Sequence, residues 1–175
     1  MKQTALLLSV LLLLSVFLCS CKQDKKDTMT PTAVSTIPQA SEPTEPVHFD
    51  TEEVSFVLPG DFTDFTDSPF GQRYDFAYAC DFVGVVGISQ EKNQEADLAA
   101  YAAAYAAEKG SEAVQKDGFW SVTYEDLTQN EPQTFVCAFY ETENKYWTVE
   151  SYCPSILFEN YAEDMWSYVI SAKFN

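Results

Sequence analysis

The chain has 175 residues, 46% of them hydrophobic and 15% aromatic, with 27 acidic against 10 basic side chains and a formal net charge of −17. That balance excludes nucleic acid as an expected partner, because phosphate binding needs clustered cations. A single histidine, His48, and no CxxC pair argue against histidine-dependent hydrolysis and against zinc.

In chain order, Lys2 precedes an uncharged, mainly apolar run from Ala5 to Leu18, 14 residues long and interrupted only by Ser9 and Ser15. Crossing a hydrocarbon layer as a helix takes about 20. Leu18-Cys19-Ser20-Cys21 follows. The pattern resembles a bacterial lipoprotein signal peptide, in which a branched apolar residue and two small residues precede a lipid-accepting cysteine. The resemblance implies cleavage before Cys21, a covalent diacylglycerol on its thiol, and anchoring to the extracytoplasmic face of the cell membrane. An ordinary secretory signal cut elsewhere is the other reading. Two or three acyl chains, at about 0.8 kcal/mol per buried CH₂, anchor a protein where one does not. Lys22 after the cysteine resembles the signal for export to an outer membrane, where the organism has one.

Residues 1–20 are thus expected to be a lipoprotein signal peptide and residues 21–46 a disordered tether, since Thr, Ser, Pro, Gln and Glu cannot bury enough surface to offset chain entropy. Residues 47–175 remain for one globular domain. The segment before them is neutral, so the domain carries the whole excess of acid. A cationic ligand or an envelope protein suits that field, and plain solubility is the alternative account. No cofactor is expected beyond the lipid on Cys21.

Within the domain, Glu52 to Leu58 alternates as a strand closed by Pro59-Gly60. Tyr74 to Tyr78 and Val83 to Ser89 are strand candidates, forming either a tight hairpin or one bulged strand. Gly84 and Gly87 inside the second predict a close backbone approach or a bulge. Gln94 to Lys109 changes to helical period, with Asn93 as its cap, Gly110 as its stop, and Leu98, Tyr101, Ala102, Tyr105 and Ala106 on one stripe. Phe119 to Tyr124, Thr134 to Glu141 and Tyr146 to Cys153 are strands, the last two joined by Thr142-Glu143-Asn144. A helix from Ser155 to Val169 and a short strand from Ser171 to Phe174 complete an α+β fold with a mainly antiparallel sheet and two main helices.

Four segments resemble PsbP-like extracytoplasmic domains. Val54-Ser55-Phe56-Val57-Leu58-Pro59-Gly60 resembles their opening strand and turn, Leu98 to Tyr105 their central helix, Asp117-Gly118-Phe119-Trp120 the turn and strand after it, and Met165 to Phe174 their closing helix and ending. The resemblance implies an α/β/α sandwich around an antiparallel sheet. It supplies no shared catalytic motif.

Several residues are candidates for chemistry. Asp61, Asp64 and Asp67 recur every third residue and offer hard oxygen ligands to Ca²⁺, although the spacing is not that of an EF-hand; an acidic turn whose phenylalanines plug the core is the alternative. Phe70, Tyr74, Trp120, Tyr146 and Trp147 are candidate ligand-contacting aromatics, against core packing as the other account. Of Cys80, Cys137 and Cys153, a hairpin reflecting near Glu143 sets Cys137 opposite Val149 and Cys153 opposite Gln133, about 13 Å apart along the ladder. Any disulfide is therefore expected to involve Cys80, with Cys80 to Cys153 preferred over three reduced core thiols. Together these readings point to a membrane-anchored, non-enzymatic binding or envelope-assembly module. A carboxylate-dependent envelope enzyme acting on sugars or peptides is the alternative.

Overall fold

A computed structural model describes residues 45–92 and 96–175. The expected signal peptide, the expected lipid-accepting Cys21, nearly all of the expected tether and the expected Asn93 cap lie outside the described residues. Among those residues no helix is long and apolar enough to cross a membrane.

The large sheet is built around β9 (Lys145–Pro154), which pairs antiparallel with β8 (Gln133–Glu141) on one side and β5 (Gly84–Glu91) on the other. Beyond β8 come β7 (Phe119–Asp126) and β6 (Val114–Lys116); beyond β5 come β4 (Phe76–Ala79) and β3 (Thr63–Asp64). Strand geometry sends successive side chains to opposite faces. Trp147, Val149 and Cys153 therefore enter one core with Val85, Phe76 and Tyr78, while Phe135, Cys137, Phe139 and Val122 enter a second core on the other face.

Each face has its own helix. Helix α1 (Leu98–Glu108) covers the second core with Ala102 and Ala106, flanked by Leu98, Tyr101 and Tyr105, so the whole predicted stripe faces the sheet. Helix α2 (Phe158–Ile170) covers the first core with Met165, Trp166 and Val169. A small sheet of β1 (Pro46–Asp50), β2 (Val54–Pro59) and β10 (Lys173–Phe174) shares that first core through Val54, Phe56 and Leu58. This arrangement is the expected antiparallel α+β architecture with helices on both faces.

The differences from sequence expectation are local. β1, in which His48 stands opposite Val57, was not expected, because its alternation Val47-His48-Phe49-Asp50 spans only four residues. The α1 cap is Asp97, whose carboxylate accepts the Ala100 N–H at 2.8 Å. β4 and β5 form a hairpin, which settles the choice between hairpin and bulge. The β8–β9 register is shifted by one: Cys137 faces Glu150 and Cys153 faces Thr134. The turn causes this shift, because the Thr142 N–H donates to the Lys145 carbonyl and closes an even connection between Glu141 and Tyr146.

Gly84 and Gly87 meet the expected close approaches. A methyl group at Gly87 would lie 2.0 Å from Phe76 Cε1, and one at Gly84 would lie 2.2 Å from Tyr152 Cζ. Phe76 is fully buried and held at 4.3 Å between ring centres by Phe56, so it has no room to retreat. Gly87→Ala is therefore expected to cost about 1–3 kcal/mol, measured by equilibrium urea unfolding; an unchanged midpoint and slope would contradict this packing.

Candidate functional site

The alternation of β9 puts Tyr146, Thr148, Glu150 and Tyr152 on the face covered by α1. Glu150, only 8% exposed, is a carboxyl group inside that core. An unpaired buried carboxylate is costly, so its partners matter. Tyr105 on α1 donates its hydroxyl to Glu150 Oε1. Tyr124 on β7 donates to the same oxygen at 3.4 Å, and the Cys137 thiol on β8 at 3.5 Å. Three elements thus converge on one atom. The Lys109 ammonium caps the group, lying 5.0 Å from the Tyr105 ring centre and 5.6 Å from that of Tyr124.

These neighbours act against one another. Burial pushes the Glu150 carboxyl above its ordinary value, while the three donors and Lys109 pull it back. Burial, reinforced by the Glu150 charge, pushes the Tyr105, Tyr124 and Cys137 protons to far higher pH, so all three remain donors.

Tyr105 also lines an open groove of about 280 Å³ along the edge of α1. Its other walls are Ala96, Ala100, Tyr101, Ala104 and Glu108, with Gln90 of β5 and Tyr146 of β9. Tyr101 and Tyr146 stack at 4.8 Å, Tyr101 shares a 3.0 Å hydrogen bond with Thr148, and the Tyr146 hydroxyl donates to the Ala96 carbonyl. The small alanine side chains of α1 leave the space, and the tyrosines are held rigidly at its edge.

The predicted site residues do not gather in one place. Tyr146 lines the groove. Phe70 and Tyr74 meet each other at 5.6 Å, with the Arg73 guanidinium 4.9 Å and 5.6 Å from their ring centres. Trp120 is half-buried on β7 against the α1 core. Trp147 is a correction to the expected surface aromatic: it is 2% exposed on the opposite face, packed on Phe76 and Phe174. Asp64 Oδ1 accepts the Thr66 N–H at 2.8 Å, and among the described residues Asp61, Asp64 and Asp67 form no cluster arranged to hold a metal ion. Of the three phenylalanines expected to plug the core there, Phe62 does so, whereas Phe65 and Phe70 remain exposed.

Cys80, Cys137 and Cys153 are free thiols. The Cys80 N–H donates to Val83, and the β5–β9 register continued by one step sets Val83 beside Cys153. Two strand spacings, about 10 Å, then separate Cys80 from Cys153, beyond the roughly 7 Å that a bridge spans. The expected bridge between them is absent for that reason.

Glu150, Tyr124 and the groove were not singled out in the sequence, and Tyr105 entered only as part of the α1 stripe. The available signal was Glu150 itself, the only charged residue between Lys145 and Pro154 in an otherwise apolar and hydroxyl-bearing strand.

No family model matches the chain, and no curated protein sequence matches it. Among solved structures, the cyanobacterial PsbP (CyanoP) of Synechocystis superposes with a TM-score of 0.56 at 10% identity, covering 78% of this chain and 95% of that one. A protein of Bacteroides thetaiotaomicron gives 0.48 at 13% identity over 70% of this chain and 45% of its own. LpqN, involved in cell envelope biogenesis of Mycobacterium tuberculosis, gives 0.47 at 10% identity over 74% and 89%. The likeness to CyanoP shows a shared PsbP-like fold, and at that identity it carries over no residue's role.

The buried acid has a pH signature. Because folding raises the Glu150 pKa above its ordinary 4.5, the folded chain binds more protons than the unfolded one just above that value. Its contribution to stability therefore falls as pH rises from the unfolded pKa through the folded one. Glu150→Gln removes this slope. Relative to wild type, the variant is expected to gain at most about 1.4 kcal/mol per pH unit across that window, read from urea midpoints of both chains; parallel pH profiles would contradict the buried-acid assignment.

Proposed function

We propose that the chain is a membrane-tethered, extracytoplasmic and non-enzymatic binding module that takes a small cationic ligand in the groove beside α1. The observation that carries this reading is the lining itself: Tyr101, Tyr105 and Tyr146 with Glu108 and Gln90, and no cationic side chain among them. A tyrosine face attracts an ammonium or guanidinium group by about 0.5–1 kcal/mol at an exposed site. The chain's own lysines already approach two of these rings, Lys92 Nζ at 5.7 Å from the Tyr146 centre and Lys109 Nζ at 5.0 Å from that of Tyr105, so an added cation has Tyr101 and the Glu108 carboxylate to meet. A net charge of −17 draws cations toward the surface.

The lipoprotein-like sequence ending at Cys21 supports placement at the membrane, with diacylglycerol on that thiol. Carboxylate-dependent catalysis on sugars or peptides fits less well. Glu150 Oε1 is already engaged by Tyr105, Tyr124 and Cys137, and His48 stands on β1 in the other sheet.

Calorimetric titration of the full chain with spermidine tests the groove. Glu108→Lys, and Ala104→Trp to fill the space, are each expected to weaken binding at least about tenfold, while Glu143→Lys on the β8–β9 turn changes it less than about twofold. Equal weakening by all three would mean diffuse charge attraction and would reject the groove. Cys21→Ala tests the anchor separately: it is expected to leave the signal uncleaved or to release the chain from the membrane fraction. Normal processing and retention of that variant would reject the anchor.

A further inference from the structure

We infer that one end of the large sheet is a docking surface for a protein whose contact segment is apolar at its centre and basic at its rim. Register places three connections side by side at that end. The pairs Gly84 with Tyr152, Tyr152 with Phe135, and Phe135 with Tyr124 run straight across β5, β9, β8 and β7. The connection before β5, the one after β9 and the one between β7 and β8 therefore form a row. Three strand spacings make it about 15 Å wide.

Each connection exposes a large apolar side chain. Ile156 is 87% exposed, Leu127 67% and Phe82 37%. Single exposed apolar residues are ordinary, but three on neighbouring connections of one rim point to an interaction site. The connections that carry them are also held in place. The Ser155 N–H donates to the Pro132 carbonyl at 2.8 Å, and Thr134 and Ser155 share a hydroxyl bond of 2.8 Å. Asp126 Oδ1 accepts from the Thr128 N–H at 2.9 Å and from its hydroxyl at 2.6 Å, and the Cys80 N–H donates to Val83 at 2.9 Å. Connections already ordered in the free protein lose little backbone entropy when a partner binds.

Charge selects the occupant. Residues 79–83, 125–133 and 154–160 contain Asp81, Glu125, Asp126, Glu131 and Glu159 and no lysine, arginine or histidine; with Lys109 beside Tyr124 and Arg73 beside Phe70 at its two flanks, the row is still net acidic. An acidic rim around an apolar centre has the polar-rim anatomy of a protein interface. It repels an anionic lipid surface, and it repels a second copy of itself. A partner with a basic rim satisfies both parts. The row is independent of the groove beside α1, so failure of the ligand reading leaves it standing.

The test places a photoreactive benzophenone amino acid at position 156, at 127, or at the exposed α2 position 163 as control, in isolated membranes from cells producing the full chain. Positions 156 and 127 are expected to give the same protein adduct and position 163 none. Mass spectrometry of the adduct should find a contact peptide rich in lysine or arginine beside apolar residues. Its yield should fall several-fold, about tenfold, on going from low to high salt. With the probe at 156, Phe82→Glu and separately Leu127→Glu should abolish the adduct; both sites are exposed, and an unchanged unfolding midpoint confirms the fold of whichever variant is scored. Lipid adducts only, an adduct to a second copy, an acidic contact peptide, no adduct, or an adduct that survives both substitutions would each overturn the inference.

Discussion

The register of the β8–β9 hairpin is the constraint on which the rest of this structure depends. β9 is bonded on both edges and covered on both faces, so each of its side chains has a fixed destination. Burying a residue such as Val149 contributes about 1.5–3 kcal/mol, and a slip of one position would exchange the two faces along the whole strand. Trp147 would then lie under α1, and Glu150 would lie in the apolar core under α2. The Thr142–Lys145 turn prevents this: the Thr142 N–H and Oγ1 both engage Lys145.

The same register explains why a carboxyl group is tolerated in the core. Cys137 directly opposes Glu150 across the ladder, Val122 opposes Cys137, and Tyr124 follows two residues later on the same face. Tyr105 arrives from the opposite direction because it belongs to the α1 stripe. The three donors therefore come from helix and strand positions that packing has already fixed, and they add little ordering cost of their own. Desolvation remains the largest influence on Glu150, and the tyrosines around it are held protonated by the same burial. Tyr105 and Tyr101 link this interior to the groove, since each is anchored beneath α1 and half-buried along its edge.

Most of the elements were legible because their periodicities are strong. The α1 stripe, the β8 and β9 strands and the closing helix all appear where the sequence pattern predicts, and the resemblance to PsbP-like domains follows their order. Weak pattern left gaps. β6 is exposed throughout, β3 has two residues, and β1 turns only Phe49 onto the first core, so none offers a long alternation. The small sheet was invisible for another reason: β10 and β1 flank β2 although 122 positions separate Asn175 from Glu53, whose backbones bond at 3.0 Å.

The site was less legible than the fold. Composition identified an aromatic surplus but not its direction, and adjacent residues divided: Tyr146 lines the groove while Trp147 fills the opposite core. The amino-acid sequence by itself determined the order and type of the main elements, the lipoprotein-like opening and the acidic character of the domain, because these depend on local periodicity, short motifs and composition. Only the tertiary structure decided which strand face each aromatic occupies, that Glu150 is buried among donors from three elements, and that Phe82, Leu127 and Ile156 share one rim. Those outcomes depend on a one-residue choice of register and on contacts between distant segments, neither of which local sequence encodes.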